Sequence, residues 1–451
     1  MKTLYSKILK KITPKKQELL QEKKLVEQIK RKIDEMDGKH SHLEWCGSSA
    51  RGTHLTGDKD LDLFIMFDKH LSAQELEEEG LRIGKEIFSG HKWEIAYSQH
   101  PYVRGEINGF EVEIVPGYVV ASGAEKQSAV DRTPFHNKYL LKKMKVSQRQ
   151  ETRLLKQFLK GIGAYGADLK NQALPGYGVE LLTLHYGTFD KALKAISEWK
   201  EKTVIKIEKV KRDVSEEFIA PLVLIDPVDE NRNVASALST EQYNKMILAA
   251  QKFLKKPSEK FFFGEKLNEW PIEKVREELC KKEFIAIEAD FPTNILPDLV
   301  WGQLRRYLRK AATHLEENDF IVKKSALWSD EKQIFFMYEL NTLTLPKVQK
   351  VFGPPIGDAE NTKKFLARKR KMISGPREEN GRIVIEAERE RTSAAAVLRD
   401  FVEETKKSEK KGLKEGLTHA KVLPESEILK HYKGGFAEHF TKYLEGKEIF
   451  E

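Results

Sequence analysis

The run Leu61-Asp62-Leu63-Phe64-Ile65-Met66-Phe67 is apolar enough to be a core strand, yet Asp60 and Asp62 stand at its start. An unpaired buried carboxylate is costly, so the strand must end at the surface or give its acids a partner. Alternate side chains of a strand share a face. Asp60 and Asp62 therefore point one way, while Leu61, Leu63 and Ile65 point into a core. Their Cα atoms lie about 6.6 Å apart, twice the strand rise, and two such carboxylates can jointly hold a pair of divalent ions about 3.5–4 Å apart. Oxygen donors suit Mg²⁺, which keeps positions open for water and phosphates. A third carboxylate should come from a neighbouring strand, and "GFEVEIVP" offers Glu111 and Glu113 on one face, Val112 and Ile114 on the other.

Asp-x-Asp alone would equally suit acids capping an exposed strand end. The preceding residues separate the two readings. Gly47-Ser48 ends one strand and starts a short helix at "SSAR". Backbone N–H groups there, with the Ser48 hydroxyl and Arg51, make an anion site fit for a triphosphate. A phosphate cradle followed by metal-binding carboxylates points to nucleotidyl transfer.

At 451 residues the chain exceeds one ordinary core, and roughly three domains are expected. A net charge of +9 favours a polyanionic partner without proving one. Cys46 and Cys280 are the only cysteines, which excludes a disulfide framework and a cysteine-based zinc site. "MKTLYSKILKKITPKK" has lysines where a signal peptide needs its apolar centre. The longest apolar run, "FIAPLVLI", is far short of the ~20 residues of a membrane span. A soluble, cytoplasmic protein without membrane contact is the expectation.

Thr13 as N-cap and Pro14 as first residue predict a helix carrying Leu25, Ile29, Ile33 and Met36 on one face. Strand-like "HLEWC", "LDLFIMF" and "FEVEIV", with a helix near 73–90, complete an α/β module over 1–145. Residues 146–255 read as mostly helical, including one pattern over 178–200, interrupted by strand-like "FIAPLVLIDP". The stretch 256–392 reads strand, helix, strand, strand, helix, strand. Its second helix is "NTKKFLARKRKM" and its last strand "GRIVIEAE". That is the ferredoxin-like βαββαβ order found in many RNA-binding modules. A helical tail is expected over 393–451. The class is thus α+β and multidomain.

"GSSARGT…DKDLDLF" resembles the signature of the polymerase-beta-type nucleotidyltransferases. "HPYVRGEINGFEVEIVPGY", "SAVDRTPFHNKYL", "RLLKQFLKGIGAYGADLK", "LPGYGVELL" and "DPVDENRNVASALS" narrow the resemblance to the archaeal class I CCA-adding enzymes, in matching order from about residue 40 to 255. The resemblance implies a tRNA nucleotidyltransferase that builds or repairs the 3′-terminal CCA from CTP and ATP without a nucleic-acid template. It also implies head, neck, body and tail domains, with the nucleotide between head and neck. Asp60 and Asp62 would bind two Mg²⁺ ions, and Glu113 would be the third ligand where the family pattern has aspartate.

By the same resemblance Gly47, Ser48 and Arg51 hold the triphosphate, Thr133 and His136 hold ribose and triphosphate, and Lys156 and Tyr165 reach the triphosphate from the neck. Arg232 would read the base, since a guanidinium fork can donate to acceptors on both cytosine and adenine. An ion pair with Asp229 or Glu230 would account for Arg232 equally well. Residues 361–371 hold six cations and no acid, so Lys363, Lys364, Arg368, Lys369 and Arg370 are the expected tRNA phosphate contacts, on a helix packed through Phe365 and Leu366. Trp301, Trp328 and Phe335 read as core residues rather than base-stacking platforms. A homodimer stays open. So do a poly(A)-type enzyme, a small-molecule nucleotidyltransferase and a catalytically silent tRNA-binding factor.

Overall fold

The structure, a computed structural model, describes residues 1–451 apart from 37–39, 98–99, 122–127, 211–215, 265–267, 294, 296, 369, 409–412 and 449–451. The chain divides into two compact units, Met1–Glu265 and Lys266–Ile449.

The first unit begins with α1 (Lys2–Ile12), α2 (Lys16–Asp34), β1 (His40–Cys46), α3 (Gly47–Arg51), β2 (Asp60–Phe67), α4 (Ala73–Ile87), β3 (Trp93–Tyr97), β4 (Pro101–Ile107) and β5 (Phe110–Tyr118). The strands form a sheet in the order β1-β2-β5-β4-β3, with β2 and β5 parallel and the other pairs antiparallel. Leu61, Leu63, Ile65 and Phe67 of β2 and Val112 and Ile114 of β5 fill one face. Leu25, Val26, Ile29 and Ile33 of α2 and Leu76, Ile83 and Ile87 of α4 pack with them. Each such burial is worth about 1.5–3 kcal/mol, and together they fix the strand register. Thr13 is not the N-cap of α2. It follows the separate helix α1, and α2 starts at Lys16 with the Glu18 side chain accepting from the Lys15 backbone N–H.

The unit continues with α5 (Arg132–Lys143), α6 (Val146–Gly161), α7 (Gly176–Tyr186), α8 (Phe189–Ser197), β6 (Thr203–Lys206), β7 (Leu222–Asp226), β8 (Asp229–Asn233), α9 (Thr240–Lys255) and α10 (Lys260–Phe263). The single helical pattern expected over 178–200 is two helices. Gly187, at φ +87°, takes a conformation that breaks the helix and that L side chains rarely adopt. Phe158, Phe189, Phe253, Phe261 and Phe262 meet edge-on or stacked in the core around α6. Arg153 of α6 donates from Nε to His54 O and from Nη2 to Gly52 O, both at 2.8 Å. From α2, Glu18 accepts from Gly57 N and Thr56 Oγ1 at 2.9 Å. The loop that delivers the chain to Asp60 is thereby held from two sides.

The second unit holds α11 (Ile272–Leu279), β9 (Glu283–Asp290), α12 (Pro297–Glu317), β10 (Val322–Ser329), β11 (Gln333–Leu340), β12 (Val348–Pro355), α13 (Ala359–Leu366), β13 (Met372–Glu379), β14 (Arg382–Glu388), α14 (Ala394–Ser408), α15 (Leu413–Gly416), β15 (Lys421–Pro424), α16 (Glu425–Ile428) and α17 (Gly434–Glu445). The βαββαβ order is present, with its first four members as expected and a different last helix and strand. β9, α12, β10, β11, α14 and β15 make it, in an antiparallel sheet ordered β10-β11-β9-β15. "NTKKFL" and "GRIVIEAE" belong instead to an inserted sheet, β12-β14-β13, with α13. The stretch from 393 is accordingly no separate helical tail. Val397, Leu398, Phe401 and Val402 share the core of α12, and β15 pairs with β9. Trp301 and Phe335 are buried and Trp328 packs partly buried beside Phe436, as core residues. Among the described residues no helix is long and apolar enough to cross a membrane.

Candidate active site

β2 and β5 run in register with Asp60 opposite Glu111 and Asp62 opposite Glu113. Leu61 and Leu63 turn to the core and the acids to the other face, as the alternation requires. Cys46, the last residue of β1, lies opposite Asp62, so the chain enters α3 directly beside that carboxylate. Gly47 has φ +77°, and a Cβ there would stand 1.8 Å from Asp62 Oδ2. Any other residue would collide with the acid, so the backbone is built to touch it. A cleft of about 830 Å³ is lined by Ser48, Asp60, Asp62, Glu111 and Glu113, with Glu94 and Arg104 from β3 and β4.

The acids repel one another. Burial, then the Asp58 and Glu111 charges, raise Asp60; burial, then Asp60, raise Asp62. Glu113 is pushed up to about 7, first by burial and next by the Asp62 charge. Tyr102 donates its hydroxyl to Glu113 Oε1 at 3.2 Å, drawing the longer side chain toward β4. Among the described residues no three His, Cys, Asp or Glu side chains converge as they stand on one metal position. The donor set still fits a hard divalent cation: it is all oxygen, shares one sheet face, and carries charge that a cation would relieve.

Arg51, expected beside the phosphates, is held within a buried network. It is buried, donating from Nε and Nη2 to the two oxygens of Glu180 on α7 at 2.9 and 2.7 Å, and from Nη1 to Asn137 Oδ1 of α5 at 3.1 Å. Thr53 adds a further short bond to Glu180. The Arg51 charge and hydrogen bonds outweigh burial and hold Glu180 below the usual carboxylate range. Lys156 of α6 is 1% exposed, and burial lowers its pKa despite the nearby Glu180 and Asp58 charges. Its Nζ lies 5.9 Å from the Tyr165 ring centre, and Lys160 lies 5.3 Å from it. Burial raises the Tyr165 hydroxyl.

His136 of α5 is buried and stacks on Tyr177 of α7, with ring centres 4.0 Å apart. Thr133 lies partly buried one turn earlier on α5. Arg232 Nη1 donates to Asp226 Oδ2 at 2.8 Å, and Arg132 Nη1 donates to Asp229 Oδ2 at 2.9 Å. His136 Nε2 lies 2.8 Å from the same Asp226 oxygen. The ring nitrogen donates there, because Asp226 is held ionised at about 2: burial pushes it up, but the His136 and Arg232 hydrogen bonds prevail. Sequence reasoning missed Tyr102, Tyr177, Glu180 and Asp226. Each left a signal without being singled out: Tyr102 lies in "HPYVRGEINGFEVEIVPGY", Tyr177 and Glu180 in "LPGYGVELL", and Asp226 ends the apolar run "LVLID".

In the second unit the helix expected over 361–371 stops at Leu366. Phe365 is buried against the inserted sheet, but Leu366 is exposed. Lys363, Lys364 and Arg368 are exposed, Lys364 pairing with Glu360 at 2.7 Å. Arg370 lies beyond the helix, its guanidinium 5.2 Å from the Phe365 ring centre. Lys369 lies outside the described residues.

Three families match successive stretches: "Nucleotidyltransferase domain" over 26–146, "tRNA nucleotidyltransferase, second domain" over 150–263, and "CCA-adding enzyme, C-terminal domain" over 281–424. The CCA-adding enzyme of Methanocaldococcus jannaschii is 36% identical over 385 residues, covering 82% of this chain and 84% of that protein. The chain belongs to the CCA-adding enzyme family. Those of Methanosarcina mazei and Archaeoglobus fulgidus are each 35% identical, over 87% of this chain and 87% of the first relative, and over 84% of this chain and 84% of the second. As a member of the family, the chain is a nucleotidyltransferase with a polymerase-beta-like head, a superfamily that works with divalent metal ions.

Proposed function

We propose that this CCA-adding enzyme builds or repairs the 3′-terminal CCA of tRNA, taking CTP twice and ATP once without a nucleic-acid template, in the cytoplasm. The carrying observation is the register of Asp60 and Asp62 with Glu111 and Glu113, directly against the Gly47 turn. Residues 1–145 act as head, 146–255 as neck, and the second unit as body and tail.

Asp60, Asp62 and Glu113 hold two Mg²⁺ ions, which when bound lower the pKa of the attacking hydroxyl and neutralise the triphosphate. The Gly47-Ser48 backbone and the Ser48 hydroxyl orient the phosphates for in-line attack by the tRNA 3′-hydroxyl at the α-phosphorus, with pyrophosphate leaving. Lys156 and Tyr165 face the triphosphate from the neck, and Arg51, tied to Glu180, is a fixed charge behind the turn. Thr133 and His136 hold the ribose, and Arg232 reads the base edge. Such positioning and fixed charge supply most of the rate in this kind of transfer. Lys363, Lys364, Arg368, Lys369 and Arg370 contact tRNA phosphates, which position RNA without reading its sequence.

The test uses tRNAs ending before CCA, after C and after CC, each with Mg²⁺ and one labelled nucleotide. Two C additions, one A addition and a stop are expected, with Asp62→Ala inactive. Continued A addition would mean a poly(A)-type enzyme. Binding of tRNA without incorporation would mean a silent factor.

A further inference from the structure

Asp226 gathers more donors than the structural needs of its strand explain. It ends β7 with its side chain fully buried. Oδ2 accepts from His136 Nε2 and Arg232 Nη1, both at 2.8 Å, and Oδ1 accepts from the Tyr177 hydroxyl at 3.2 Å and Val228 N at 3.1 Å. Those donors come from α5, α7, the β7–β8 turn and β8. The pair is lopsided in exposure. Asp226 is closed off, while the Arg232 side chain keeps 31% of its surface open. A guanidinium has five N–H groups in one plane, so tethering one Nη1 proton fixes the plane and leaves the others for a partner. A lysine could pair with Asp226 but could not present a second, oriented edge.

We propose that Asp226 is the specificity-positioning residue of the site, a carboxylate that aims the Arg232 fork at the nucleobase edge and fixes the His136 ring in the same step. It touches neither substrate nor reacting atoms and acts through those two side chains. The inference rests on the base-reading role proposed for Arg232.

The experiment measures kcat and KM for each of the four nucleoside triphosphates singly, on tRNA ending before CCA and after CC. Asp226→Asn keeps the shape but removes the charge and turns one acceptor into a donor, which faces either the Arg232–His136 pair at the Oδ2 position or Tyr177 and Val228 N at the Oδ1 position. Its discrimination for CTP or ATP over UTP and GTP should fall about 10- to 100-fold, the worth of one hydrogen bond to a charged group. In an Arg232→Ala background the same change should add less than about 2-fold, because coupled residues do not contribute independently. Arg232→Lys, at a half-open site, covers the case in which Asp226→Asn does not fold. It should lose discrimination nearly as far as Arg232→Ala, although its charge is kept. Wild-type discrimination in Asp226→Asn or in Arg232→Lys would overturn the proposal, as would a full additional loss in the double variant. Wild-type enzyme that incorporates all four nucleotides equally would instead defeat the base-reading function itself.

Discussion

Replacing Glu180 by Gln tests the ion pair that ties the Gly-Ser turn to α7. Glu180 is 0% and Arg51 7% exposed, and both carboxylate oxygens are taken by the Arg51 fork. A glutamine can accept only one of those two bonds, and its amide must point at a donor. The Arg51 charge then stays buried without its counter-charge, next to Asn137 and near Asp62. Removing one member of a buried pair costs about 3–5 kcal/mol, most of it the stranded partner. For a unit of this size, Met1–Glu265, each kcal/mol lowers the melting temperature by about 2–4 °C, so a fall of roughly 6–20 °C is expected. The assay is calorimetry on the full chain, following the transition that nucleotide binding raises. The double variant Glu180→Met with Arg51→Met should regain much of that loss, because an apolar pair of similar size carries no buried charge. A Glu180→Gln protein melting within about 2 °C of wild type would refute the reasoning. So would a double variant less stable than the single.

Gly47→Ala puts a Cβ into the Asp62 carboxylate and strains a residue at φ +77°; incorporation should fall about 100-fold, since a misplacement of about 1 Å at a reacting centre is that costly, with rapid-quench kinetics as the check. Exchanging Lys363 and Lys364 for Glu should weaken tRNA binding uniformly across tRNA species. The slope of log affinity against log salt should become shallower by roughly one for each phosphate that is no longer neutralised, while incorporation at saturating tRNA stays unchanged. Acid should destabilise the first unit through the Asp226 cluster. Asp226 titrates at about 2 when folded against 3.8 ordinarily, so its contribution, about 2 kcal/mol by linkage, is full above 3.8 and fades as pH falls toward 2. Burial lowers His136 below its ordinary 6.5, so its share is present above that value and is lost as pH drops beneath it. Denaturant midpoints between pH 7 and 3 should fall steadily for wild type and more shallowly for His136→Gln.

How far the sequence could be read depended on whether a residue's surroundings are local along the chain. The carboxylates of β2 and β5 were legible because alternation on two short strands fixes their faces, and Gly47 because a Gly-Ser turn before a strand with acids has few uses. β3 and β4 were not, since only Ala96 is buried on the edge strand β3, and Arg104, Gly105 and Glu106 dilute the apolar pattern of β4. In the second unit the order of strands and helices was correct in kind and right for β9, α12, β10 and β11, but wrong for the last helix and strand. Each of "GRIVIEAE" and "KVLP" can serve as a strand, and β14 and β15 are told apart only by their partners, β12 and β13 for one, β9 for the other. The same distinction separates Arg51 from Asp62. Asp62 is defined by neighbours within the strand and the turn, whereas the fate of Arg51 depends on Glu180, 129 residues away on α7. A cation read next to a Gly-Ser turn is therefore only a candidate ligand until the buried acids around it are placed. In this chain Glu180 pairs with Arg51 and buries it, while Asp226 pairs with Arg232 and leaves part of it exposed.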